Sequence, residues 1–588
     1  MEKKTKIRII RSLSIIIMSL LTLASIVLSL IQVHVCQIPG RLDPLFLLMV
    51  FGDELIPLIL FVLALYFRNR FFAIASVMAG FLNLILRFSS IIMYKEAFMS
   101  LNYSSCKLLI IHTDFNSLQA IIGKFFYLWA VPAVIAVAAL IVFCIVLTWK
   151  TISIPPRKMS YISLIVFSAL LGISVISNAA FEIFQTNVES QCFSGRPLPM
   201  AVYHMVKDAA QEISSSGDQP PVELSEQSRE LLREIKVIAP ESEKLVKQDL
   251  FDRIIIIATE SLDYDYIRKN NPLMPPGITP NLDRYSKDFV SMENYFPGAH
   301  PTSWALTALL QSRLDYTKDK FLTNESLFSA AGKKGFKSLY FSSASANFDE
   351  NGKYYKQMFQ PDHQFFREDF PEKYDNRFAS SWGLSDRGLL TFVYEKFKTY
   401  KYPRFIAVIS TMDTHPPYSD SLLTKEEKQR FRTKFLGSLF STDREINAFV
   451  TKIMSDQELY NERTLIIITA DHTATFGDNF TKRPDLYPGR IPLIFITPNQ
   501  EIFQNLNTKK YASSIDLAPT LLNMIDAEIP ESFMGRDLFS DKNCAIVMPY
   551  NPFMIIHTPH GEQRFFITAP TNRRQEAFRD FFYSYYGK

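Results

Sequence analysis

Five long apolar runs before residue 180 constrain this chain more than any other feature. They lie near 12–33, 45–67, 71–93, 125–148 and 159–179. A hydrocarbon core about 30 Å thick takes roughly 20 helical residues to cross, and each run is long enough. The first, "SLSIIIMSLLTLASIVLSLIQV", exceeds the apolar core of a removable signal peptide, so it is expected to stay as an anchor. Lys3, Lys4, Lys6, Arg8 and Arg11 precede the first run, "RNR" joins the second to the third, and Lys150, Arg157 and Lys158 join the fourth to the fifth. Basic residues in short loops mark the cytoplasmic side. Five spans then leave everything after about residue 180 outside the cytoplasm.

At 588 residues the chain is too long for one domain, and its 48% hydrophobic content is concentrated in those runs. We expect a five-span helical membrane domain over 1–180, a polar linker with amphipathic helices over 181–250, and a water-facing domain over 251–588. No internal repeat is evident. The net charge of +4 is small and topology accounts for the basic residues, so nothing points to nucleic acid as a partner. Of the five cysteines, Cys144 lies in an expected span, while Cys36, Cys106, Cys192 and Cys544 fall on the exported side. Their spacing matches no metal finger and settles no pairing.

From 251 onward, short apolar runs alternate with helical patterns: "RIIIIATE", "KSLYFSS", "RFIAVIST", "TLIIITADH" and "IPLIFITP". Near-continuous apolar strands belong to a sheet covered on both faces, which predicts an α/β domain with a mostly parallel central sheet. Ligands of such sheets bind beyond the carboxyl ends of the strands. Glu260 ends one of these runs; Asp471 and His472 end another. Two carboxylates and an imidazole at one sheet edge suit a divalent cation such as Zn²⁺ or Mn²⁺. Taken singly, an acid at a strand end reads equally as a helix cap.

Thr302, in "HPTSWALTALL", stands where an N-cap stands. A helix N-terminus is also a phosphate site, because its free N–H groups and its dipole favour negative charge.

These segments resemble the alkaline phosphatase and sulfatase superfamily. "TSWALTALLQSR" aligns in register with the sulfatase pattern C-x-P-S-R-x-x-L-L-T-G-R, with Thr302 in the cysteine slot. "TADHTATFGD", "RIPLIF", "SSIDLAPTLLNMI" and "MGRDLF" are similar to later superfamily segments, in the expected order, so the resemblance spans roughly 250–540. Sulfatases convert the cysteine, or a serine, to formylglycine; threonine cannot yield that aldehyde. A threonine there resembles instead the membrane-anchored branch of lipoteichoic acid synthases, phosphoglycerol transferases and phosphoethanolamine transferases.

The resemblance implies a metal site of Glu260, Thr302, Asp471 and His472 with Thr302 as nucleophile, one divalent cation (Mn²⁺ or Zn²⁺), and room for a second. It also implies a substrate-phosphate role for His415 in "THPPY". Trp382 and Arg387, in "SWGLSDRG", are similar to a substrate-contacting segment, although Arg387 reads equally as a solvated charge at a helix start. His300 lies close enough to Thr302 to contribute. In "FSSASANFDENGKYY" the His, Trp and Arg of related glycerol-phosphate enzymes are replaced by Ser342, Phe348 and Glu350.

The expected enzyme sits in the bacterial inner membrane with its catalytic domain on the extracytoplasmic side. It takes a headgroup from a phospholipid donor and gives it to a glycan or glycolipid acceptor. Phosphoglycerol is favoured over phosphoethanolamine, because phosphoethanolamine transferases usually carry several disulfides and only Cys192 and Cys544 follow the last expected span. The alternatives are a sulfuric ester hydrolase or phosphodiesterase, and a non-catalytic membrane binding protein.

Within the expected spans, Asp53 and Glu54 lie about 12 Å and Arg87 about 9 Å below the outer ends, at 1.5 Å per residue. Such residues are costly in lipid and are usually paired or turned to a polar cavity. We expect either a structural ion pair or a border of the headgroup entry.

Overall fold

The computed structural model describes residues 248–566, apart from 315–324, 348–350, 375–382, 416–417, 420, 432, 475–488, 541–542 and 551–552. It also describes 16–24, 26–28, 57–64, 71–81, 84, 144 and 146. The chain divides into two units, Met1–Ile111 with Leu118–Asp218, and His112–Ser117 with Gln219–Lys588.

In the first unit the described residues are helical. Met18, Leu21, Phe61, Val77, Phe81 and Cys144 belong to one apolar cluster. Ile16, Leu20, Leu23, Phe71 and Phe72 turn outward, Phe71 with 74% of its surface exposed. Among the described residues no helix is long and apolar enough to cross a membrane. Most of the five expected spans, nearly all of the expected linker, and Asp53, Glu54 and Arg87 lie outside the described residues.

The second unit is built on a seven-stranded sheet. Its strands are β1 (Arg253–Thr259), β2 (Val290–Ser291), β4 (Lys337–Ser342), β5 (His363–Phe365), β6 (Phe405–Ser410), β7 (Thr464–Ala470) and β8 (Leu493–Ile496), while β3 (Asn294–Phe296) pairs with β9 (Tyr511–Ser513) outside it. The order across the sheet is β2-β8-β7-β1-β6-β4-β5. All five runs expected to be strands are strands. Only β8 departs in direction: it runs antiparallel to both β7 and β2. A short, fully buried apolar run reads the same either way, so its direction comes from the chain connection and not from its residues.

The helices are α1 (Pro280–Asp288), α2 (Thr302–Gln311), α3 (Leu327–Gly332), α4 (Asn351–Met358), α5 (Asp386–Tyr400), α6 (Lys425–Arg430), α7 (Lys434–Met454) and α8 (Leu517–Met524). α7 packs on α1 and α5, and α2, α3 and α8 form a second group. Every residue of β6 and β7 is buried, as expected of strands covered on both faces. Asp443 of α7 ties its group together by accepting the N–H groups of Asn281 and Leu282 in the first turn of α1.

α5 braces the loop that follows β6. Buried Asp386 accepts the backbone N–H groups of Met412 at 2.8 Å and Asp413 at 3.2 Å, and the Thr442 hydroxyl at 2.9 Å. Its own N–H donates to Asp413 Oδ2 at 3.0 Å, while Asp413 Oδ1 is buried with no hydrogen-bond partner. The glycine of "WGLSD" follows from the same close packing. A Cβ at Gly383 would lie 2.3 Å from the Ser343 carbonyl oxygen at the end of β4.

Burial pushes Asp386 up to about 6, and burial together with neighbouring Asp386 raises Asp413 well above the carboxylate range. Both carboxyls hold a proton more tightly folded than unfolded, so their stabilising effect is complete below the ordinary 3.8; for Asp386 it is lost as pH rises through about 6, and for Asp413 it persists well above the ordinary value. Asp413→Asn keeps the side-chain shape without the charge. Its thermal midpoint in the full-length protein is expected to equal or exceed wild type at pH 8, by on the order of 1 kcal/mol, with the difference shrinking toward pH 4. A loss that is the same at every pH would show that the pair does not titrate.

Candidate metal centre

Strand register brings the site together. β1 pairs in parallel with β6 and β7, with Ala258 opposite Ser410 and Thr259 opposite Ala470. The next residue of each strand, Glu260, Thr411 or Asp471, therefore reaches the same carboxyl-end edge. Cross-links fix their heights. The Glu260 N–H donates to Thr411 Oγ1 at 3.1 Å, the Thr414 hydroxyl donates to the Glu260 carbonyl, and the Asp471 N–H donates to the Thr259 carbonyl at 3.3 Å.

Thr302 arrives from another direction, and the structure corrects its expected place. It is the first helical residue of α2 and not the N-cap; that position belongs to Pro301, and no side chain caps the helix. The Thr302 hydroxyl is thereby released from capping. It donates to Glu260 Oε2 at 3.2 Å and lies 3.2 Å from His472 Nε2. The His472 Nδ1–H donates to the Thr473 carbonyl at 2.8 Å, so the Nε2 lone pair is turned toward Thr302 and the acids. Nε2 is 3.7 Å from Glu260 Oε1 and 3.4 Å from Asp471 Oδ2.

One ligand atom from each of Glu260, Asp471 and His472 lies within 4.8 Å of the others. These three residues are 1%, 1% and 4% exposed, whereas Thr302 is half-buried. The three candidate ligands are thus more enclosed than the threonine that meets them.

Two adjacent carboxylates without a countercharge are costly to bury. Burial, and next the charge of Glu260, push Asp471 up to about 7. Burial alone works against a charged His472, but Asp471 and Glu260 outweigh it and raise the imidazole above its ordinary value. Asp471 Oδ2 is buried and accepts no hydrogen bond. A divalent cation would supply the charge and the bond that these atoms lack, and two carboxylates, a hydroxyl and an imidazole suit Zn²⁺ or Mn²⁺.

The other expected residues are placed as follows. Buried His300 packs its ring 4.4 Å from that of His472, and its Nε2 lies 3.3 Å from Thr473 Oγ1. His415 is half-buried on the loop after β6, next to Thr414, which binds the Glu260 carbonyl. Arg387, half-exposed in the first turn of α5, donates from Nε and Nη2 to Glu445 at 3.0 and 2.8 Å. In this structure its guanidinium is engaged by a carboxylate of α7. Trp382 lies outside the described residues.

Residues that sequence reasoning passed over include Ser261, Thr411, Thr414 and Asp263, the last accepting the Ala474 N–H at 3.0 Å. Small polar residues of this kind carry no spacing signal. Only their position immediately after a strand-end ligand could have pointed to them.

By sequence, no curated protein matches the chain. Among solved structures it is similar to the integral membrane protein lipooligosaccharide phosphoethanolamine transferase A from Neisseria meningitidis, at 13% identity and a TM-score of 0.52, over 90% of this chain and 96% of that one. It is also similar to an alkaline phosphatase superfamily protein from Vibrio parahaemolyticus (18% identity, TM-score 0.49, 61% and 93% covered). A third is the lipoteichoic acid synthase LtaP from Listeria monocytogenes (16% identity, TM-score 0.47, 61% and 95% covered). The sulfatase family model matches residues 252–527, the stretch that carries β1 to α8 and all four residues of the candidate centre, so this part of the chain is a sulfatase-family domain.

Proposed function

We propose that this chain is a metal-dependent phosphotransferase that moves a phosphate-linked headgroup from a membrane phospholipid to an envelope glycan or glycolipid. Phosphoglycerol is the favoured headgroup and phosphoethanolamine the next. The observation that carries the reading is the hydroxyl of half-buried Thr302, at a helix N-terminus and 3.2 Å from both Glu260 Oε2 and His472 Nε2. A threonine there rules out the aldehyde chemistry of sulfatases and leaves direct attack on phosphorus. The paucity of cysteine after residue 180, Cys192 and Cys544 alone, supports phosphoglycerol over phosphoethanolamine.

In the first half-reaction Thr302 Oγ attacks the donor phosphorus. An Oγ–P bond forms, the bond from phosphorus to the diacylglycerol oxygen breaks, and the proton lost by Thr302 is balanced by one gained on the departing diacylglycerol oxygen. In the second, an acceptor hydroxyl attacks the same phosphorus and the Oγ–P bond breaks, which returns Thr302 and gives ping-pong kinetics. The N-terminus of α2 offers backbone N–H groups to the phosphoryl oxygens. A divalent cation held by Glu260, Thr302, Asp471 and His472 would lower the pKa of the hydroxyl and offset charge on phosphorus-bound oxygen.

We place the enzyme in the bacterial inner membrane with this domain outside the cytoplasm. Support comes from the five apolar runs, the basic loops between them and the outward apolar side chains of the N-terminal unit. The fold likeness to an integral membrane protein over 90% of the chain agrees with it.

Incubating the detergent-purified chain with phosphatidylglycerol and no acceptor is expected to leave a glycerol-phosphate adduct on Thr302, seen by peptide mass spectrometry, with about one equivalent of diacylglycerol released. Thr302→Ala should show neither. Sustained release without an acceptor would point to a hydrolase, and an adduct formed only from phosphatidylethanolamine would reassign the donor.

Asp471→Asn and His472→Ala are each expected to cost about 100-fold or more in turnover and to abolish stoichiometric Mn²⁺ or Zn²⁺, read by elemental analysis. Because Asp471 is pushed up to about 7 without a cation, protons compete with the metal, and wild-type affinity should fall as pH drops below that value. A pH-independent affinity between 6 and 8 would contradict the assignment of Asp471 as a ligand.

A further inference from the structure

Ser261 stands between the two acidic side chains of the centre and touches both. It is 5% exposed and its φ is 52°, in the left-handed region, where a residue other than glycine is strained. Such a conformation persists only where the surroundings hold it. Here its N–H donates to Asp471 Oδ1 at 3.0 Å while its hydroxyl donates to Glu260 Oε1 at 2.5 Å. The His472 N–H adds a second donor to Asp471 Oδ1 at 2.6 Å.

The result is a division among four oxygens. Asp471 Oδ1 and Glu260 Oε1 are occupied by these donors. Asp471 Oδ2 has no hydrogen-bond partner, and Glu260 Oε2 faces Thr302. The oxygens left for a cation are the two that Ser261 does not bind. We propose that Ser261 is a positioning residue that selects which oxygen of each carboxylate faces the metal and so sets cation affinity; the inference rests on the metal-centre reading above.

The residue type matches the task. Glycine would accept the φ but bring no hydroxyl, alanine would bring neither ease nor hydroxyl, and a β-branched residue would clash in the left-handed region. Serine supplies both donors from one position. Hydrogen-bond partners of ligands tune metal affinity by about 10- to 100-fold, which sets the effect to look for.

The test is Mn²⁺ titration by calorimetry of the full-length, detergent-purified protein, comparing wild type with Ser261→Gly and Ser261→Ala, with the metal-free melting midpoint measured in parallel. Ser261→Gly is the decisive variant, because it relieves the backbone strain and removes only the hydroxyl. Both variants are expected to bind Mn²⁺ at least about 10-fold more weakly than wild type, with the metal-free midpoint of Ser261→Gly unchanged. Binding by Ser261→Gly within about twofold of wild type would overturn the proposal, as would a loss confined to the metal-free midpoint. Wild-type protein that takes up neither Mn²⁺ nor Zn²⁺ would remove the metal centre itself, and this role with it.

Discussion

The parallel pairing of β1 with β7 places Glu260 and Asp471 side by side in the interior, and the rest of the site answers that juxtaposition. Burying two carboxylates together is unfavourable unless protons, hydrogen bonds or a cation offset their repulsion. The domain uses hydrogen bonds on one side. The Ser261 hydroxyl and the N–H groups of Ser261 and His472 take one oxygen of each acid, and His472 closes the group from the other side. What remains is Asp471 Oδ2, without a hydrogen-bond partner and 3.4 Å from His472 Nε2, and Glu260 Oε2, which faces Thr302.

The proposed nucleophile is built on different terms from the proposed ligands. Glu260, Asp471 and His472 stand at the ends of fully buried strands, where backbone geometry is set by neighbours on both sides. Thr302 opens a helix that packs on α8 and on the residues just before it, away from the central strands. Its hydroxyl lies 3.2 Å from Glu260 Oε2 and from His472 Nε2, on a residue that is half-buried where the other three are enclosed. The nucleophile proposed above needs an open side, because phosphorus must approach Oγ opposite its leaving group while the ligands stay enclosed.

How much of this was legible in the sequence depends on what each residue signals. The five strands were visible because full burial demands continuous apolar runs, and Glu260, Asp471 and His472 were visible because they interrupt such runs at their carboxyl ends. The direction of β8 was not, since its residues satisfy either orientation. β2, β3, β5 and β9 were missed because two or three residues show no period. Thr302 was found through a pattern and given the wrong local position, because Pro301 and Thr302 are both acceptable openings for a helix and only the backbone decides between them. Ser261 was invisible because its contribution depends on a φ that its side chain does not announce.

The loop after β6 shows why buried acids need not all be ligands. Asp386 and Asp413 are as enclosed as Glu260 and Asp471, yet three of their four oxygens accept from backbone N–H groups or a threonine hydroxyl, leaving only Asp413 Oδ1 without a partner. One pair organises a loop and the other faces the Thr302 hydroxyl. Burial is common to both pairs, and proton affinity is raised at Asp471 as it is at Asp386 and Asp413, so neither property identifies a metal site. The distinction lies in the partners. At the sheet edge an imidazole lone pair and a free hydroxyl converge on the same point as the acids, and at α5 only donors do. The Asp386 brace still reaches the chemistry, because the loop it holds carries Thr414 onto the Glu260 carbonyl and sets His415 one residue further on.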